Sequence, residues 1–370
     1  MAEAGHAPHR PSEGLAHLIQ RWSDPDGFLP FDRYWELAQF DEEEGYYARL
    51  RSPIGTAGDF YTAPSVGSFF GWTIADHLFE GWVELGRPSP FCFAEIGGGE
   101  GQLAADVIER LAERRPESAE WEFRFVERSQ RRRARAVERL RPIAERGGMQ
   151  FTVPESLGEG GPFAGSVVAN ELLDALPARR LRRLDGGWEE LGVLLDRGEL
   201  VPGSRPLTRP VTGPPLPELP PGAVYEFSPE AEGFVREVAD SLLVGRAVFL
   251  DYGALETHWT RTATQGTVVA LRSHAALADP LAEPGRSDLS SWVNFTRVRA
   301  AAQSAGMVER LYLPQREALV AWGLPERVEE LAAAGSQEAD RVRVRLQSKQ
   351  LLVRFENFQV LELGNERTAG

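Results

Sequence analysis

A glycine-rich segment flanked by acids is the first part of the chain whose residue types could do chemistry. The segment Glu95-Ile96-Gly97-Gly98-Gly99-Glu100-Gly101 follows the apolar run Phe91–Ile96. Glycine lets the backbone turn tightly and approach a ligand closely, as in the dinucleotide-binding pattern G-x-G-x-x-G. Here the last gap is one residue shorter, and Glu100 would repel a pyrophosphate. Glu95 instead suits a cofactor with a cationic end, such as the sulfonium and ammonium groups of S-adenosylmethionine.

A second acid favours the binding of a nucleoside. Glu127 follows the strand-like run Trp121–Val126, 26 residues after Gly101. A carboxylate at this position can accept hydrogen bonds from both hydroxyls of a ribose. The other interpretation is a solvated acid at a strand end, beside Arg128. The candidate cofactor residues are Glu95, Gly97, Gly99, Gly101 and Glu127. An NAD-dependent oxidoreductase is the alternative that a titration with NAD would support.

The segment Asn170-Glu171-Leu172-Leu173-Asp174-Ala175-Leu176-Pro177 carries the candidate catalytic residues. It follows the strand-like run Ser166–Ala169, and ligands of open α/β sheets bind beyond the carboxyl ends of the strands. An amide oxygen and a carboxylate there can orient an amine or guanidinium nucleophile and accept its charge. We therefore predict that Asn170, Glu171 and Asp174 are catalytic and that Asn170 also contacts the cofactor. The alternative is that Glu171 is solvated and that Asp174 caps a helical turn.

Further candidate residues lie in loops before and after this segment. Asp59 could reach the ammonium group of the cofactor or cap the next helix. Asp251 ends a buried run, which places it at the same edge of the sheet as Glu171. His274 could act as a base, although a lone histidine is often structural. The predicted cofactor-binding residues of this group are Gly58, Asp59 and Phe60. The predicted substrate-binding residues are Asp251, Tyr252, His274, Trp292 and Asn294.

Several other site types have no counterpart in the sequence. No H-E-x-x-H segment and no cluster of histidines and acids is present, so no catalytic metal is predicted. The nucleophile motif G-x-S-x-G is missing as well. Cys92 is the only cysteine and lies in an apolar run, which excludes an internal disulfide and predicts a buried structural thiol.

The elements that must position these residues alternate between strand-like and helix-like patterns. The alternation from Phe91 to Ala169 predicts a parallel sheet with helices on both faces. The pair Gly186-Gly187 predicts a hairpin, and the proline-rich stretch after it cannot hold a central strand. Helices are expected at 295–305 and 315–334, and antiparallel strands over Val342–Leu363. The predicted fold is therefore α/β and Rossmann-like, with an N-terminal helical segment and an inserted cap or substrate region.

The same patterns divide the chain into segments. The predicted segments are 1–14 (disordered N-terminus), 15–89 (helical segment and cofactor-covering loop), 90–180 (Rossmann-like core), 181–227 (hairpin and proline-rich insertion), 228–255 (core continuation), 256–295 (cap insertion) and 296–370 (C-terminal helices and closing strands).

The composition is that of an acidic globular protein. Of its 370 residues, 55 are acidic and 41 are basic, which gives a formal net charge of −14. Such a chain repels polyphosphate, so nucleic acid is not expected as a partner, whereas cationic partners are weakly favoured. The other interpretation is that the acidic charge only keeps the protein soluble. No secretory signal and no uncharged apolar window of 18 residues is present, so a cytoplasmic protein without a membrane partner is predicted. A homodimer is one open possibility for the oligomeric state.

Several motifs, taken in chain order, resemble the MidA family of S-adenosylmethionine-dependent methyltransferases. The most specific are the run Asn170–Pro177 and the loop Gly58-Asp59-Phe60-x-Thr62-x-Pro64. The others are the glycine segment 95–101, Glu127-x-Ser129, Asp251-Tyr252-Gly253, Gly266-Thr267 with His274, Pro284-Gly285-x-x-Asp288-Leu289 and Gln315. The resemblance covers about residues 30–325. It implies the class I methyltransferase fold, S-adenosylmethionine as cofactor, and methyl transfer to a nitrogen or oxygen. Because the family includes a mitochondrial complex I assembly methyltransferase, it also implies a protein arginine as acceptor.

The chain departs from the family pattern at polar positions. The family's Pro-Glu-Ile-Ser is Pro64-Ser65-Val66-Gly67 here, and Gly98 and Glu100 stand where the glycine segment of the family has Pro and Arg. The family's Val-Asp-Phe is Val293-Asn294-Phe295. The acids and glycines expected to bind the cofactor remain. The acceptor stays open between a protein arginine and a small molecule or peptide, and a non-catalytic assembly factor that binds the cofactor is a third hypothesis.

Overall fold

The structure is a computed structural model that describes residues 9–49, 63–258, 265–272, 275–277, 279–335 and 338–366. The strands are β1 (Phe28–Pro30), β2 (Phe91–Ile96), β3 (Trp121–Val126), β4 (Gln150–Thr152), β5 (Phe163–Asn170), β6 (Arg179–Leu184), β7 (Gly187–Asp196), β8 (Glu199–Pro206), β9 (Val224–Phe227), β10 (Leu242–Ala254), β11 (Val269–Arg272), β12 (Ala275–Ala276), β13 (Asp288–Ser290), β14 (Val293–Asn294), β15 (Val308–Pro314) and β16 (Phe358–Glu366). The α-helices are α1 (Glu13–Trp22), α2 (Phe31–Phe40), α3 (Tyr46–Arg49), α4 (Ser68–Glu84), α5 (Gln102–Arg114), α6 (Gln130–Arg146), α7 (Pro229–Ser241), α8 (Phe295–Ser304), α9 (Gln315–Ala321), α10 (Leu324–Ala334) and α11 (Glu338–Arg354).

The central sheet has the strand order β15-β16-β10-β5-β2-β3-β4, with the short β14 beside the end of β10. Strands β4, β3, β2, β5 and β10 are parallel, and β16 is antiparallel to both β10 and β15. After β4 the chain returns to the opposite side of β2 as β5. This reversal opens a crevice beyond Ile96 and Asn170, which is where open α/β sheets bind ligands. The predicted Rossmann-like α/β fold is confirmed.

The core lies on both faces of this sheet. Phe91 and Phe93 of β2 pack on the side of α4, α5 and α6, whereas Cys92, Ala94 and Ile96 pack on the side of α7 and α8. Since both faces are covered by helices, the strand reads as a continuous apolar run instead of an alternating one. Each large apolar side chain buried in this way stabilises the fold by about 1.5–3 kcal/mol. Cys92 is buried as predicted, and burial raises the pKa of its thiol.

Two smaller antiparallel sheets lie beside the central one. One has the order β1-β7-β6-β9 with β8 paired to β7, and the other has the order β12-β11-β13. Helices α1 and α2 pack against both through an apolar cluster that includes Leu15, Trp35, Val193 and Leu289. The predicted hairpin at 186–187 is the connection between β6 and β7. The N-terminal helices thus join the two small sheets through one apolar cluster.

Two expectations for the chain ends are corrected by the structure. Residues 9–14, expected to be disordered, are ordered because His9 forms a β-bridge with Leu200 and Ser12 caps α1. Most of Val342–Leu363 is helix α11 rather than strand, since its buried Val344 and Leu351 are two helical turns apart. Only β16 remains of the strands expected in that range. Among the described helices, none has the length and apolar character needed to cross a bilayer.

Candidate active site

The turn after β2 is built from three glycines with left-handed backbone. Gly97, Gly99 and Gly101 have φ values of 71°, 59° and 75°, a region that other residues rarely enter. The N–H of Gly97 donates to the carbonyl of Val126 (2.8 Å), and the N–H of Gly101 donates to the carbonyl of Gly98 (2.9 Å). The turn is therefore closed on itself and tied to β3, and α5 begins immediately after it.

Glu127 holds this turn from the end of β3. Its Oε2 accepts the N–H of Gly99 (2.9 Å), and its Oε1 accepts the N–H of Ser129 (2.7 Å). Only 7% of its surface is exposed, and burial raises the pKa of its carboxyl. Glu127 is thus not the solvated strand-end acid of the alternative interpretation. Each of its oxygens keeps a second lone pair that could accept from a ribose hydroxyl.

Two unpaired oxygens lie at the ends of the neighbouring strands β2 and β5. Glu95 is 3% exposed, and burial raises the pKa of its carboxyl to about 8. In the described part of the chain, neither the Oε2 of Glu95 nor the Oδ1 of Asn170 has a hydrogen-bond partner, although both atoms are buried. Buried acceptors in proteins are normally paired, so these two oxygens suit a donor or a cation from a ligand.

Glu171 has a strained backbone just beyond β5. Its φ of 51° lies in the left-handed region, which costs a residue other than glycine about 1–3 kcal/mol and is typical of functional sites. Its Oε1 accepts the N–H of Ala63 (3.1 Å) and an amide N–H of Asn170 (3.2 Å). Burial, followed by the nearby charge of Asp174, raises the pKa of the Glu171 carboxyl to about 7. The side chain therefore links the end of β5 to the residues that precede α4.

Asp251 anchors the segment 170–177 from the neighbouring strand β10. Its Oδ2 accepts the N–H groups of Leu173 (2.8 Å) and Asp174 (3.2 Å), and its Oδ1 accepts the N–H of Tyr252 (2.9 Å). It is 1% exposed, and burial beside Asp174 raises the pKa of its carboxyl well above the ordinary range. Three backbone donors thus hold its carboxylate against this segment, and the predicted contact of Asp251 with substrate stays a prediction.

Asp174 faces hydroxyl groups from two other elements. Its Oδ2 accepts the hydroxyl of Ser290 (2.7 Å), and that hydroxyl also contacts the hydroxyl of Tyr252. Its Oδ1 is buried and unpaired within the described ranges, and burial raises the pKa of the carboxyl. The N-cap of the turn Leu173–Ala175 is Leu172, which makes no side-chain capping bond. The oxygens of Asp174 point to a site shared by β10, β13 and the turn after β5.

Three polar residues of this site were not predicted from the sequence: Tyr47, Asp288 and Ser290. Tyr47 of α3 donates its hydroxyl to Asp288 (2.8 Å) across 241 residues of chain, and Ser290 reaches Asp174 across 116. Asp288 belongs to the motif Pro284-Gly285-x-x-Asp288-Leu289, which is part of the family resemblance, but no role was predicted for it. We call Glu171, Asp174, Asp251 and Asp288 the acid cluster. Contacts this distant in sequence leave no local pattern to detect.

Of the remaining predicted residues, Asn294 and Trp292 make their hydrogen bonds outside the acid cluster. Asn294 is the N-cap of α8: its Oδ1 accepts the N–H of Arg297 (3.3 Å), and its amide donates to the hydroxyl of Tyr225 (3.1 Å). Its side chain thus caps α8, and its predicted role in substrate binding stays a prediction. Trp292 lines a narrow cleft with Asn294 and Arg297. His274 and the segment Gly58-Asp59-Phe60 lie outside the described residues.

Three members of the acid cluster have no cationic neighbour. Over the described ranges, no arginine, lysine or histidine forms an ion pair with Glu171, Asp174 or Asp251. Burial, followed by the charge of Asp174, raises the pKa of Glu171 and of Asp251. The same ranges contain no group of three or more acidic, histidine or cysteine side chains arranged to hold a metal ion. Buried carboxylates are normally paired, so the cluster is complementary to an organic cation.

Comparison with known proteins agrees with this geometry. A family model described as S-adenosyl-L-methionine-dependent methyltransferase matches residues 73–312, which include the glycine turn and the acid cluster. The chain belongs to the MidA family of methyltransferases. This MidA protein is thus a methyltransferase, and the cofactor of the family is S-adenosylmethionine.

Relatives and a solved structure match most of the length of this MidA protein. The protein arginine methyltransferase NDUFAF7 homolog of Drosophila melanogaster is 28% identical, with 89% of this chain and 80% of the relative aligned. Human protein arginine methyltransferase NDUFAF7 is 23% identical, with 78% and 68% aligned. A COG1565 superfamily member from Burkholderia thailandensis, bound to S-adenosyl-homocysteine, superposes with a TM-score of 0.84 at 28% identity and covers 96% of this chain and 92% of its own. The names of both relatives place them in mitochondria, so the cytoplasmic location stays a prediction.

The residues at the crevice beyond β2 and β5 fit S-adenosylmethionine. The unpaired acceptors Glu95 Oε2 and Asn170 Oδ1 match a ligand that carries an ammonium donor and a sulfonium charge. Gly97, Gly99 and Gly101 carry no side chain of their own, which lets a nucleoside approach the backbone of the turn closely. The acid Glu100, which would repel a pyrophosphate, forms an ion pair with Arg135 and is compatible with a cofactor that has no phosphate.

Proposed function

We propose that this MidA protein methylates a guanidinium nitrogen of an arginine in a protein. The observation that carries the proposal is the acid cluster, whose members Glu171, Asp174 and Asp251 have no cationic partner in the described chain. A guanidinium is planar, always charged and rich in donors, so it pairs with carboxylates better than any other biological cation of its size. The relatives named protein arginine methyltransferases support the same acceptor. The net charge of −14 favours the approach of a cationic segment.

We propose separate tasks for two parts of the site. The cofactor half consists of Glu95, the glycine turn, Glu127 and Asn170, and the acceptor half is the acid cluster. Glu127 would accept the ribose hydroxyls, and Glu95 and Asn170 would face the cationic end of the cofactor. Gly97, Gly99 and Gly101 would let the backbone lie against it. When bound, S-adenosylmethionine supplies a methyl group made electrophilic by its sulfonium. The roles proposed for Gly58, Asp59, Phe60 and His274 rest on sequence alone.

Glu171 is the residue proposed to handle the proton. A guanidinium nitrogen that gains a methyl group must give up one proton, because the product cation carries one N–H fewer. A carboxyl with a pKa of about 7 is partly ionised at neutral pH and can accept that proton. Asp174, held by Ser290, would align the acceptor through its unpaired Oδ1. Asp251 would keep both residues in place through its bonds to the backbone of the segment.

The proposal is tested with peptides that differ only in one side chain. Peptides with a single arginine, and matched peptides with lysine at that position, are incubated with the full chain and S-adenosylmethionine. Mass spectrometry then locates any gain of one methyl group. We expect methylation of arginine peptides only, and we expect Glu171→Gln to lower the rate at least about 100-fold, as removal of a general base does.

Calorimetry with S-adenosylhomocysteine serves as the control. The cofactor product should bind wild type and Glu171→Gln with similar affinity, because the substitution leaves Glu127 and the glycine turn unchanged. The exposed Glu117→Gln should alter neither measurement. Methylation of lysine peptides or of small metabolites, with arginine peptides untouched, would contradict the proposed acceptor. Binding of the cofactor without transfer to any acceptor would favour the non-catalytic assembly factor.

A further inference from the structure

The strand β13, which lies outside the central sheet, carries two polar residues of the site. We propose that β13 is the strand that recognises the acceptor, with Asp288 as a further carboxylate that contacts the guanidinium. In this proposal Tyr47 and Gln39 are positioning residues for Asp288. The inference rests on the proposed function and names the residues that select arginine. It places acceptor selection in the insertion between β10 and α8, apart from the residues that hold the cofactor.

The alternation of β13 decides which way its side chains face. Leu289, the middle residue, is buried in the apolar cluster shared with α1 and α2. Neighbouring side chains of a strand point to opposite faces, so Asp288 and Ser290 share the other face. The hydroxyl of Ser290 lies 2.7 Å from the Oδ2 of Asp174, which shows that this face looks onto the acid cluster. Asp288 is therefore the next residue along the strand on the side of Asp174.

Gln39 fixes β13 along its outer edge. The side-chain amide of Gln39 donates to the carbonyl of Ser287 (2.9 Å), and its Oε1 accepts the N–H of Leu289 (3.1 Å). These two bonds flank Asp288 and imitate the pairing of a neighbouring strand, while β11 pairs with the opposite edge. Gln39 is fully buried on α2. The backbone of Asp288 is thus held from both sides.

Tyr47 connects Asp288 with the cofactor side of the crevice. Its hydroxyl donates to Asp288 (2.8 Å), while the guanidinium of Arg132 lies over its ring at 4.4 Å from the centroid. Arg132 is in the first turn of α6, which follows Glu127 directly. Tyr47 therefore fixes the direction in which the Oδ1 of Asp288 points.

Binding to small acceptor analogues tests the inference. The probes are N-acetyl-L-arginine amide and N-acetyl-L-lysine amide, titrated calorimetrically into the full chain saturated with S-adenosylhomocysteine. We expect wild type to prefer the arginine amide. We expect Asp288→Asn to weaken its binding at least about tenfold, the effect of losing one charge-assisted hydrogen bond. Tyr47→Phe should weaken it by a smaller factor. Neither substitution should change the affinity for S-adenosylhomocysteine by more than about twofold.

Each outcome supports or overturns a definite statement. If wild type shows no preference for the arginine amide, the proposed function falls and this inference falls with it. If wild type prefers arginine and Glu171→Gln loses that preference, but Asp288→Asn binds as wild type does, this inference alone is overturned. Thermal unfolding reports whether Asp288→Asn is folded. If Asp288→Asn is not folded, the same titration is made with Ser290→Ala and Tyr47→Phe. The inference is overturned if both variants bind the arginine amide with wild-type affinity.

Discussion

The carboxyl of Glu171 should destabilise the fold at neutral pH. Its pKa is about 7 in the folded chain, against an ordinary value of 4.5. A carboxyl with a raised pKa binds its proton more tightly in the folded than in the unfolded chain, so protonation favours folding. This contribution is fully present below pH 4.5 and is lost as the pH rises from 4.5 to about 7. Above pH 7 the fold holds an ionised group that it disfavours.

Glu171→Gln should remove this effect with little change in shape. The glutamine Oε1 can still accept from the N–H of Ala63, and the substitution keeps the length of the side chain. A difference of about 2.5 pKa units at 1.36 kcal/mol each gives about 3 kcal/mol. The variant should therefore be more stable than wild type by up to about 3 kcal/mol at pH 8. The difference should vanish below pH 4.5, where both side chains are neutral.

Urea unfolding followed by circular dichroism at pH 4 and pH 8 measures this difference. The exposed Glu117→Gln is the matched control, because it makes the same chemical change without burial and should give equal stability at both values. Methyl transfer by Glu171→Gln, assayed in parallel, should be lost while stability at pH 8 increases. If the variant is equally or less stable than wild type at pH 8, burial does not disfavour the ionised form of the Glu171 carboxyl.

Three further substitutions, the first with a matched control, test other parts of the site. Gly98→Ala should destabilise the chain by about 1–3 kcal/mol and weaken S-adenosylhomocysteine binding, since the new Cβ would lie 2.4 Å from Cε2 of Phe125. Gly186→Ala, which has open space around it, should be nearly neutral in the same thermal unfolding and calorimetry. Glu127→Ala frees the N–H groups of Gly99 and Ser129, so calorimetry should show at least a tenfold loss of cofactor affinity, roughly the value of two such bonds. Asp251→Asn replaces one acceptor oxygen by a donor that opposes backbone N–H groups, so kcat should fall while cofactor affinity stays near that of wild type; equal kcat would remove its positioning role.

The cofactor half of the site could be predicted from sequence because its parts are local. Strand, glycine turn and helix follow one another within about 25 residues, and each step leaves a pattern: an apolar run, three glycines, an amphipathic stretch. The structure adds that Glu127 binds the turn itself through Gly99, a contact between two adjacent strand ends. In a parallel sheet the ends of adjacent strands lie side by side. The proximity of Glu127 to the glycine turn could therefore be predicted from the sequence.

The acceptor half could be predicted only in part. Glu171 and Asp174 follow a strand end, and the general rule for α/β sheets placed them correctly in the crevice. Ser290 and Tyr47 join them from segments more than 100 residues away, where short strands and a single helical turn give no periodic signal. Asn294, which stands where the family has aspartate, makes a contact that the sequence did not reveal, and its predicted role in substrate binding stays a prediction. In the structure its side chain starts helix α8.

The departures of this chain from the family pattern are compensated within the cofactor half. Gly98, which stands where the family has proline, leaves the space that the ring of Phe125 fills. Glu100, which stands where the family has arginine, pairs with Arg135 of α6 and adds no unpaired charge at the turn. Phe125 thus compensates for the glycine at position 98, and Arg135 compensates for the acid at position 100. Neither change removes a hydrogen bond made by Glu127. In the acceptor half, Glu171, Asp174 and Asp251 form no ion pair with any described cation, and Glu171 keeps its strained backbone. A chain that had lost its chemistry could relieve both costs by single substitutions, so their presence together argues for a site that still binds a cationic acceptor.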